Sequence, residues 1–399
     1  MASLIERDRC LWHPFTSINN KSLPIVRGKG AYVFDENGNR YIDAISSWWV
    51  NLHGHCHPYI NEKIKVQLET LEHVIFAGYT HPQAIELAER LLALTGFYKV
   101  FFSDNGSTAI ESALKMVFQL KGGGKVLSFK GGYHGDTFGA MSAAGKNHFN
   151  KPFWPYLFDV ESIDPPLLGL EDLTLSQFDK VKDPVAFIFE PHLQGSGGMV
   201  THSLKVLKEI IRRCQKKGII TIADEVMTGF GRTGPLFISS ELNPDILCLS
   251  KGITGGYLPL GATLVKEKCC FYEDVFLHGH SYTANPLACA AANASLDLLL
   301  SEECQKARSF IKSQHDQFKK KIRVKRCEVI GTILIIEIDS TASYFNPIKD
   351  RLYQFFLKRG ILIRPLGNVL YIMPPYCIGE EDLQHIYSTI YEFLTRKSH

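Results

Sequence analysis

No charge of one sign dominates this sequence. Its 44 lysines and arginines face 41 aspartates and glutamates, leaving a formal net charge of +3 over 399 residues. So small an excess offers no electrostatic footprint for nucleic acid or an anionic membrane, and neither partner is expected. No uninterrupted apolar run reaches the roughly 20 residues that cross a bilayer. The opening "MASLIERDRCLWHPF" carries Glu6 and Asp8 and lacks an apolar stretch, so neither a signal nor a transit peptide is expected. Ten cysteines are present, but they form no C-x-x-C and no repeated spacing. Cys248 and Cys289 sit in apolar runs, where a thiol behaves as a small buried hydrophobe. A reduced, cytoplasmic protein is the expectation. There is no internal repeat, no low-complexity linker and no G-x-x-x-x-G-K-[ST], which argues against a nucleoside triphosphatase.

What remains is an ordinary globular mixture, 45% hydrophobic and 21% charged. The chain exceeds the usual size of one core, so a large α/β domain with a smaller partner is expected. From about residue 99 to 265, short apolar runs alternate with helical stretches, the pattern of a mostly parallel sheet covered by helices. The runs cover 100–102, 125–129, 185–189, 219–223 and 246–249. They lead respectively into "SDNGSTAIES", "KGGYHGD", "EPHLQGSGG", "DEVMTGFGRTG" and "SKGITGG". In an open parallel sheet these tails share one edge, where ligands bind, so they are expected to meet. Beyond Asn285 the pattern is first helical, then shows short strands at "EVIGTILIIEID", "GILIRPL" and "NVLYIMPP". Helices are read at "IKDRLYQFFLKRG" and "DLQHIYSTIYEFL". The expected division is an N-terminal segment, 1–48, packing with the small domain; a large domain, 49–284; and a small α+β domain, 285–399.

Lys251 poses the chemical question. It closes the apolar run of "DILCLSKGITGGYLPLGA", where an ammonium group is costly to desolvate unless it reaches water or does chemistry. A lysine shielded from water has a lowered pKa, and its neutral amine can join a carbonyl group. One strand–helix–strand step earlier, Asp224 closes "ITIAD" with Glu225 beside it. A carboxylate there needs a partner, either a protonated ring nitrogen or Arg232. In "SDNGSTAIESALKM", Gly106, Ser107 and Thr108 open a helix, a good phosphate cradle or else an ordinary N-cap. Tyr133 can lay an aromatic face over a planar ligand. Together these groups fit pyridoxal 5'-phosphate, whose lysine linkage and ring-nitrogen carboxylate form a recognised pair. The "HGHCHP" stretch raises a metal site, since His53, His55 and His57 would share one side of an extended chain, with Cys56 between them. No second ligand cluster follows at zinc spacing, so the expectation is no metal, and a loop of hydrogen-bonded imidazoles after an aromatic strand.

Over essentially its whole length the chain resembles the class III aminotransferases of pyridoxal-phosphate fold type I. "DEVMTGFGRTG" and "SKGITGGYLPLGA" carry that resemblance. More narrowly, "LWHPFTS", "SSWWVNLHGHCHP", "GYHGDTFGAMS", "NPLACAAANASL" and "IRPLGNVLYIMPPY" look like the biotin-pathway branch, which acts on 8-amino-7-oxononanoate. The resemblance implies that Lys251 links the cofactor and shuttles protons, while Asp224 pairs with the pyridinium nitrogen. It implies that Gly106 and Ser107 hold the phosphate and that Tyr133 lies against cofactor and substrate. Trp48 would line an apolar substrate channel, and Arg364 would meet the acceptor's distal carboxylate. Gly279, His280 and Ser281 would come from the partner subunit of a homodimer. There Gly279 touches substrate, and the other two complete the phosphate site. Phe15 stands where many members that use S-adenosylmethionine have tyrosine, and "HGHSYT" also leans toward lysine as amino donor. The other motifs span more positions and lean toward S-adenosylmethionine, which is the expected donor. Competing readings are another class III enzyme acting on an ω-amine, and a non-catalytic pyridoxal-phosphate- or metal-binding protein.

Overall fold

Apolar runs without polar interruption build the central sheet. The computed structural model describes residues 3–17, 22–147, 149–271, 274–338 and 346–396. Its central strands, numbered here in chain order, are β1 (Lys99–Ser103), β2 (Lys125–Phe129), β3 (Val160–Ile163) and β4 (Pro184–Phe189). They continue with β5 (Ile220–Asp224), β6 (Ile246–Leu249) and β7 (Gly261–Val265). The spatial order is β1-β7-β6-β5-β4-β2-β3. All pairings are parallel except those of β7, which runs antiparallel to both β6 and β1. Every residue of β5, β6 and β7 is buried, as strands covered on both faces require. The five expected strands are present within a residue or so. The sequence reading missed β3, and it missed β7, whose "GATLV" lay hidden behind a glycine-rich loop.

Helix α1 (Gly106–Lys121) shows how local chemistry sets an element's ends. The Asn105 side chain accepts from the Thr108 N–H at 3.1 Å, and the Thr108 hydroxyl accepts from the Asn105 N–H at 2.9 Å. Gly122, at φ 71°, stops the helix in a left-handed cap. Its inner face, Ala109, Ile110, Ala113, Leu114 and Val117, packs into a core cluster with Ile222, Ile246 and Cys248.

The expected C-terminal strand in "EVIGTILIIEID" is a hairpin, Arg326–Ile330 and Ile333–Glu337, turning at Gly331; its final Asp339 lies outside the described residues. Val369–Ile372 completes that three-stranded sheet. The N-terminal strands Ile25–Lys29, Tyr32–Asp35 and Arg40–Asp43 form a separate sheet, which Ile361–Leu362 joins in parallel. Two ends of the chain are thus joined by hydrogen bonds such as Ala44 N–H to Leu362 O at 3.2 Å.

Two expectations fail here. "SSWW", read as an aromatic strand, is a left-handed turn described below. The histidines of "HGHCHP" do not all share a side: the His53 and His57 rings lie 6.4 Å apart, while Gly54 and Cys56, at φ 90° and 54°, take the chain out of extension and His55 faces Asp43. His53 Nε2 lies 3.1 Å from Ser295 Oγ, while His55 Nε2 lies 2.9 Å from Asp43 Oδ2. Among the described residues no group of three or more His, Cys, Asp or Glu could hold a metal ion, and no helix is long and apolar enough to cross a membrane.

His315 is fully buried, its Nε2 at 3.2 Å from Thr332 O and its Nδ1 at 2.7 Å from the Tyr387 hydroxyl. Burial holds its pKa down to about 4, against an ordinary 6.5. The unfolded imidazole takes a proton below pH 6.5, whereas the folded one refuses it until about pH 4, so stability falls as the pH drops through that window. Urea unfolding across that range should show His315→Asn with a lower stability near neutrality. Its dependence on pH should be shallower by about 1 kcal/mol per unit. A slope unchanged by the substitution would remove His315 from the acid response.

Candidate active site

The carboxyl ends of β1, β2, β4, β5 and β6 open on one cavity of about 470 Å³. Lys251, one residue past Ser250 at the end of β6, lines it with the left-handed φ of 46°, unusual for a side-chain-bearing residue. Its Nζ lies 4.7 Å from the centroid of the Trp49 ring, and no described carboxylate forms an ion pair with it. Burial lowers its pKa, opposed in part by the negative fields of Asp224 and Glu190. The result is an amine held toward its neutral form, at a place facing the cavity.

Asp224 ends β5 and is 4% exposed. Its Oδ2 lies 2.7 Å from His134 Nδ1, and its Oδ1 accepts the Val226 N–H at 3.0 Å. The carboxylate selects the His134 tautomer with the proton on Nδ1. A carboxylate has about four acceptor positions, so these two bonds leave room for a donor in the cavity. Arg232, the other partner considered for Asp224, goes elsewhere. It is buried, with Nη1 donating to Pro374 O at 2.8 Å and Nη2 to Asn51 O at 3.0 Å. Glu225 also turns away, accepting the N–H groups of Ile238 and Ser239 at 3.1 and 2.7 Å.

His134 and Glu190 were not singled out from the sequence. Glu190, just past β4, accepts the N–H groups of Tyr133 and Gly195 at 3.0 and 2.9 Å, and burial pushes its pKa up to about 7. It follows a core strand as Asp224 ends one, and that shared placement was the available signal. Tyr133 lines the cavity with its hydroxyl donating to Asp136 Oδ2 at 2.8 Å, and burial raises its pKa.

Gly106 and Ser107 line the cavity at the N-terminus of α1. Backbone approaches closely here: a Cβ on Gly106 would come within 2.8 Å of Val226 Cγ1. Gly135, at φ 130°, has no room for a Cβ beside the Ser107 hydroxyl.

Ser46, Ser47, Trp48 and Trp49 have φ of 51°, 47°, 69° and 73°. Four left-handed residues with side chains cost about 1–2 kcal/mol each, so the surroundings must impose the turn. Trp49 is buried against the cofactor-sized cavity, and Trp48 lines a second pocket beside Phe15, Tyr133, Ser196, Arg364 and Tyr371. Tyr133 and Ser196 line both spaces. The Phe15 and Trp48 rings meet edge-on with centroids 5.9 Å apart, and Arg364 Cζ sits 4.4 Å from the Trp48 ring centroid. Arg364 has no acidic partner among the described residues, unlike Arg213 and Arg359, which form ion pairs at 2.7 and 2.6 Å.

Gly279, His280 and Ser281 do not line this chain's own cavity. Gly279 and Ser281 are exposed, and His280 Nδ1 lies 3.4 Å from Asp104 Oδ2.

The geometry suits a phosphorylated planar aldehyde. A helix N-terminus with close glycine backbone would take the phosphate, a carboxylate with spare acceptor capacity would take a ring nitrogen, and a desolvated amine would take the aldehyde. Residues 16–394 match the family described as Aminotransferase class-III. The chain is 44% identical to adenosylmethionine-8-amino-7-oxononanoate aminotransferase of Synechococcus elongatus, over 96% of this chain and 98% of the relative. It is 38% identical to the Helicobacter pylori enzyme of that name, over 96% and 95%. Among solved structures, the Methanocaldococcus jannaschii enzyme of that name superposes with a TM-score of 0.91 at 34% identity, covering 99% of both chains. An amine transaminase from an uncultivated Pseudomonas species, in its "PLP-bound (internal aldimine) form", gives 0.87 at 30% identity, over 97% and 99%. Fold, cavity and near-full-length match agree: the chain belongs to the class III aminotransferases, fold type I enzymes whose cofactor is pyridoxal 5'-phosphate.

Proposed function

We propose that this enzyme transfers an amino group from S-adenosylmethionine to 8-amino-7-oxononanoate, forming 7,8-diaminononanoate for biotin synthesis. The observation that carries the reading is Arg364, an arginine without an acidic partner among the described residues, at a pocket walled by Trp48. The acceptor has a long alkyl chain ending in a carboxylate, which needs an apolar wall and a distant fork of donors. The relatives named for this acceptor match over nearly the whole chain and support the same reading.

When bound, pyridoxal 5'-phosphate supplies a carbonyl that accepts the amino group and a ring that absorbs the electron pair left on the substrate carbon. Gly106 and Ser107 would hold its phosphate, and Tyr133 would cover its ring. Asp224, oriented by His134 and the Val226 N–H, would hold a proton on the ring nitrogen. Lys251 Nζ would take the proton from the donor's reacting carbon and return it to the carbon that had carried the cofactor's carbonyl oxygen, which its lowered pKa favours. Trp49 packs beside Nζ, its ring centroid 4.7 Å away. The keto acid then occupies the same site, and Lys251 moves the proton in the opposite sense.

A homodimer is part of the proposal. Gly279, His280 and Ser281 would reach a partner's site, and Val275, Leu277 and Tyr282, exposed by 72%, 78% and 61%, form the kind of apolar surface a second copy covers. The cytoplasm suits a chain whose ten cysteines are all free. The division at 48 and 284 is kept as proposed, supported by the pairing of Arg40–Asp43 with Ile361–Leu362.

Borohydride reduction of the cofactor-loaded protein should fix the cofactor on Lys251 alone, as peptide mass mapping reads, and Lys251→Ala should abolish both trapping and turnover. Trapping on another lysine would reassign the role. Arg364→Ala should raise the KM for the keto acid about ten- to a hundredfold, the size of a charged hydrogen bond, and leave the donor half-reaction nearly unchanged. Equal losses in both half-reactions would mean that Arg364 supports the site generally. The donor is read by mixing the loaded enzyme with one candidate at a time. S-Adenosylmethionine should discharge the cofactor's absorbance faster than lysine, and the reverse order would make lysine the donor, as Phe15 and "HGHSYT" lean.

A further inference from the structure

We propose that Asp43 is a positioning residue for the acceptor end of this site, acting through the left-handed turn that carries Trp48 and Trp49. Asp43 is fully buried at the end of strand Arg40–Asp43. No lysine or arginine pairs with it among the described residues. Its Oδ1 accepts the Ser47 N–H at 2.9 Å and the Ile45 N–H at 3.4 Å. Its Oδ2 accepts the Ser47 hydroxyl at 2.7 Å and faces His55 Nε2 at 2.9 Å. Three of these four donors belong to the turn or its entrance, so the buried charge is compensated only while the turn keeps its left-handed shape. The far side is pinned separately: Ser46 Oγ donates to Met373 O at 2.8 Å, and Met373 N–H to Ala44 O at 2.8 Å.

The same residue also registers Arg364. Asp43 pairs with Leu362 in the parallel ladder, and the Ala44 N–H bonds Leu362 O at 3.2 Å, two residues before Arg364. Trp48 and Arg364, stacked 4.4 Å apart, therefore both depend on the position of Asp43: one through the turn, the other through the strand pairing. Relaxing the turn to right-handed dihedrals would redirect the Trp48 ring away from Arg364.

The proposal rests on the reading of the Trp48–Arg364 pocket as the acceptor end, and the test separates the two. Asp43→Asn keeps the shape but turns an amide donor toward the other donors. In the holoenzyme it should reduce the near-ultraviolet circular dichroism of the tryptophans. It should also raise the keto-acid KM about tenfold and change the donor half-reaction less than about twofold, the scale of one charge-assisted bond. Added to Trp48→Ala it should raise that KM no further, because the two act through one element. Multiplying effects, equal losses in both half-reactions, or an unchanged tryptophan signal would each overturn the proposal. If Asp43→Asn does not fold, Ser47→Gly serves, since glycine adopts the turn without strain but lacks the hydroxyl anchor. Its Tm should hold or rise while the keto-acid KM rises, and a joint fall in Tm and acceptor use would make the turn a stability element only. The circular dichroism needs no substrate, so it tests the anchor even where Arg364→Ala shows the acceptor to bind elsewhere.

Discussion

A carboxylate buried at the end of a core strand, with one side on the cavity, anchors the layout of the site. Asp224 is buried at the end of β5, and such a charge is tolerable only with partners close by. His134 at 2.7 Å and the Val226 N–H supply two, leaving the remaining acceptor capacity directed at the cavity. The placement of Lys251 follows from the same sheet edge. Asp224 is in register with Cys248, so the amine two residues past β6 stands on the neighbouring strand, in the field of the carboxylate without pairing to it. Desolvation lowers the lysine's affinity for a proton, and the two carboxyl groups keep it from falling further.

Around this edge the molecule spends conformational strain locally. Lys251 and the Ser46–Trp49 turn all hold left-handed dihedrals without glycine. Such residues persist where surroundings over-determine them, and here both sets border the site. Arg232 contributes to that constraint by joining the carbonyls of Asn51 and Pro374, which ties the loop after β5 to the chain past the tryptophans and to the end of the C-terminal sheet. Its planar fork suits two separate carbonyls, which a lysine could not bridge in the same way.

Several elements were readable from residue order alone. The apolar runs gave five of seven central strands, because burial on both faces demands continuous hydrophobicity. The rule that ligands lie beyond the carboxyl ends of parallel strands then brought Gly106, Ser107, Tyr133, Asp224 and Lys251 together, and one cavity holds all five. β7 escaped because the antiparallel direction of a strand leaves no mark on its composition. Glu190 escaped because a single glutamate after a strand does not reveal that two backbone N–H groups will converge on it.

Sequence by itself thus determined the alternation of strand and helix, the chemical kinds of group at the sheet edge, and the family those motifs mark. These properties are local or periodic, and they survive being written as a string. Only the tertiary structure decided which partner each charge takes: His134 and not Arg232 for Asp224, Asp43 for His55, and none yet for Arg364 among the described residues. It also decided the hand of the Ser46–Trp49 turn. Nothing in four residues without glycine favours positive φ, and the bonds that impose it come from nearby Asp43, itself buried by the fold, and from Met373, 327 residues beyond Ser46. Pairing energies and strain depend on distances between residues remote in sequence, and those distances exist only once the chain has folded.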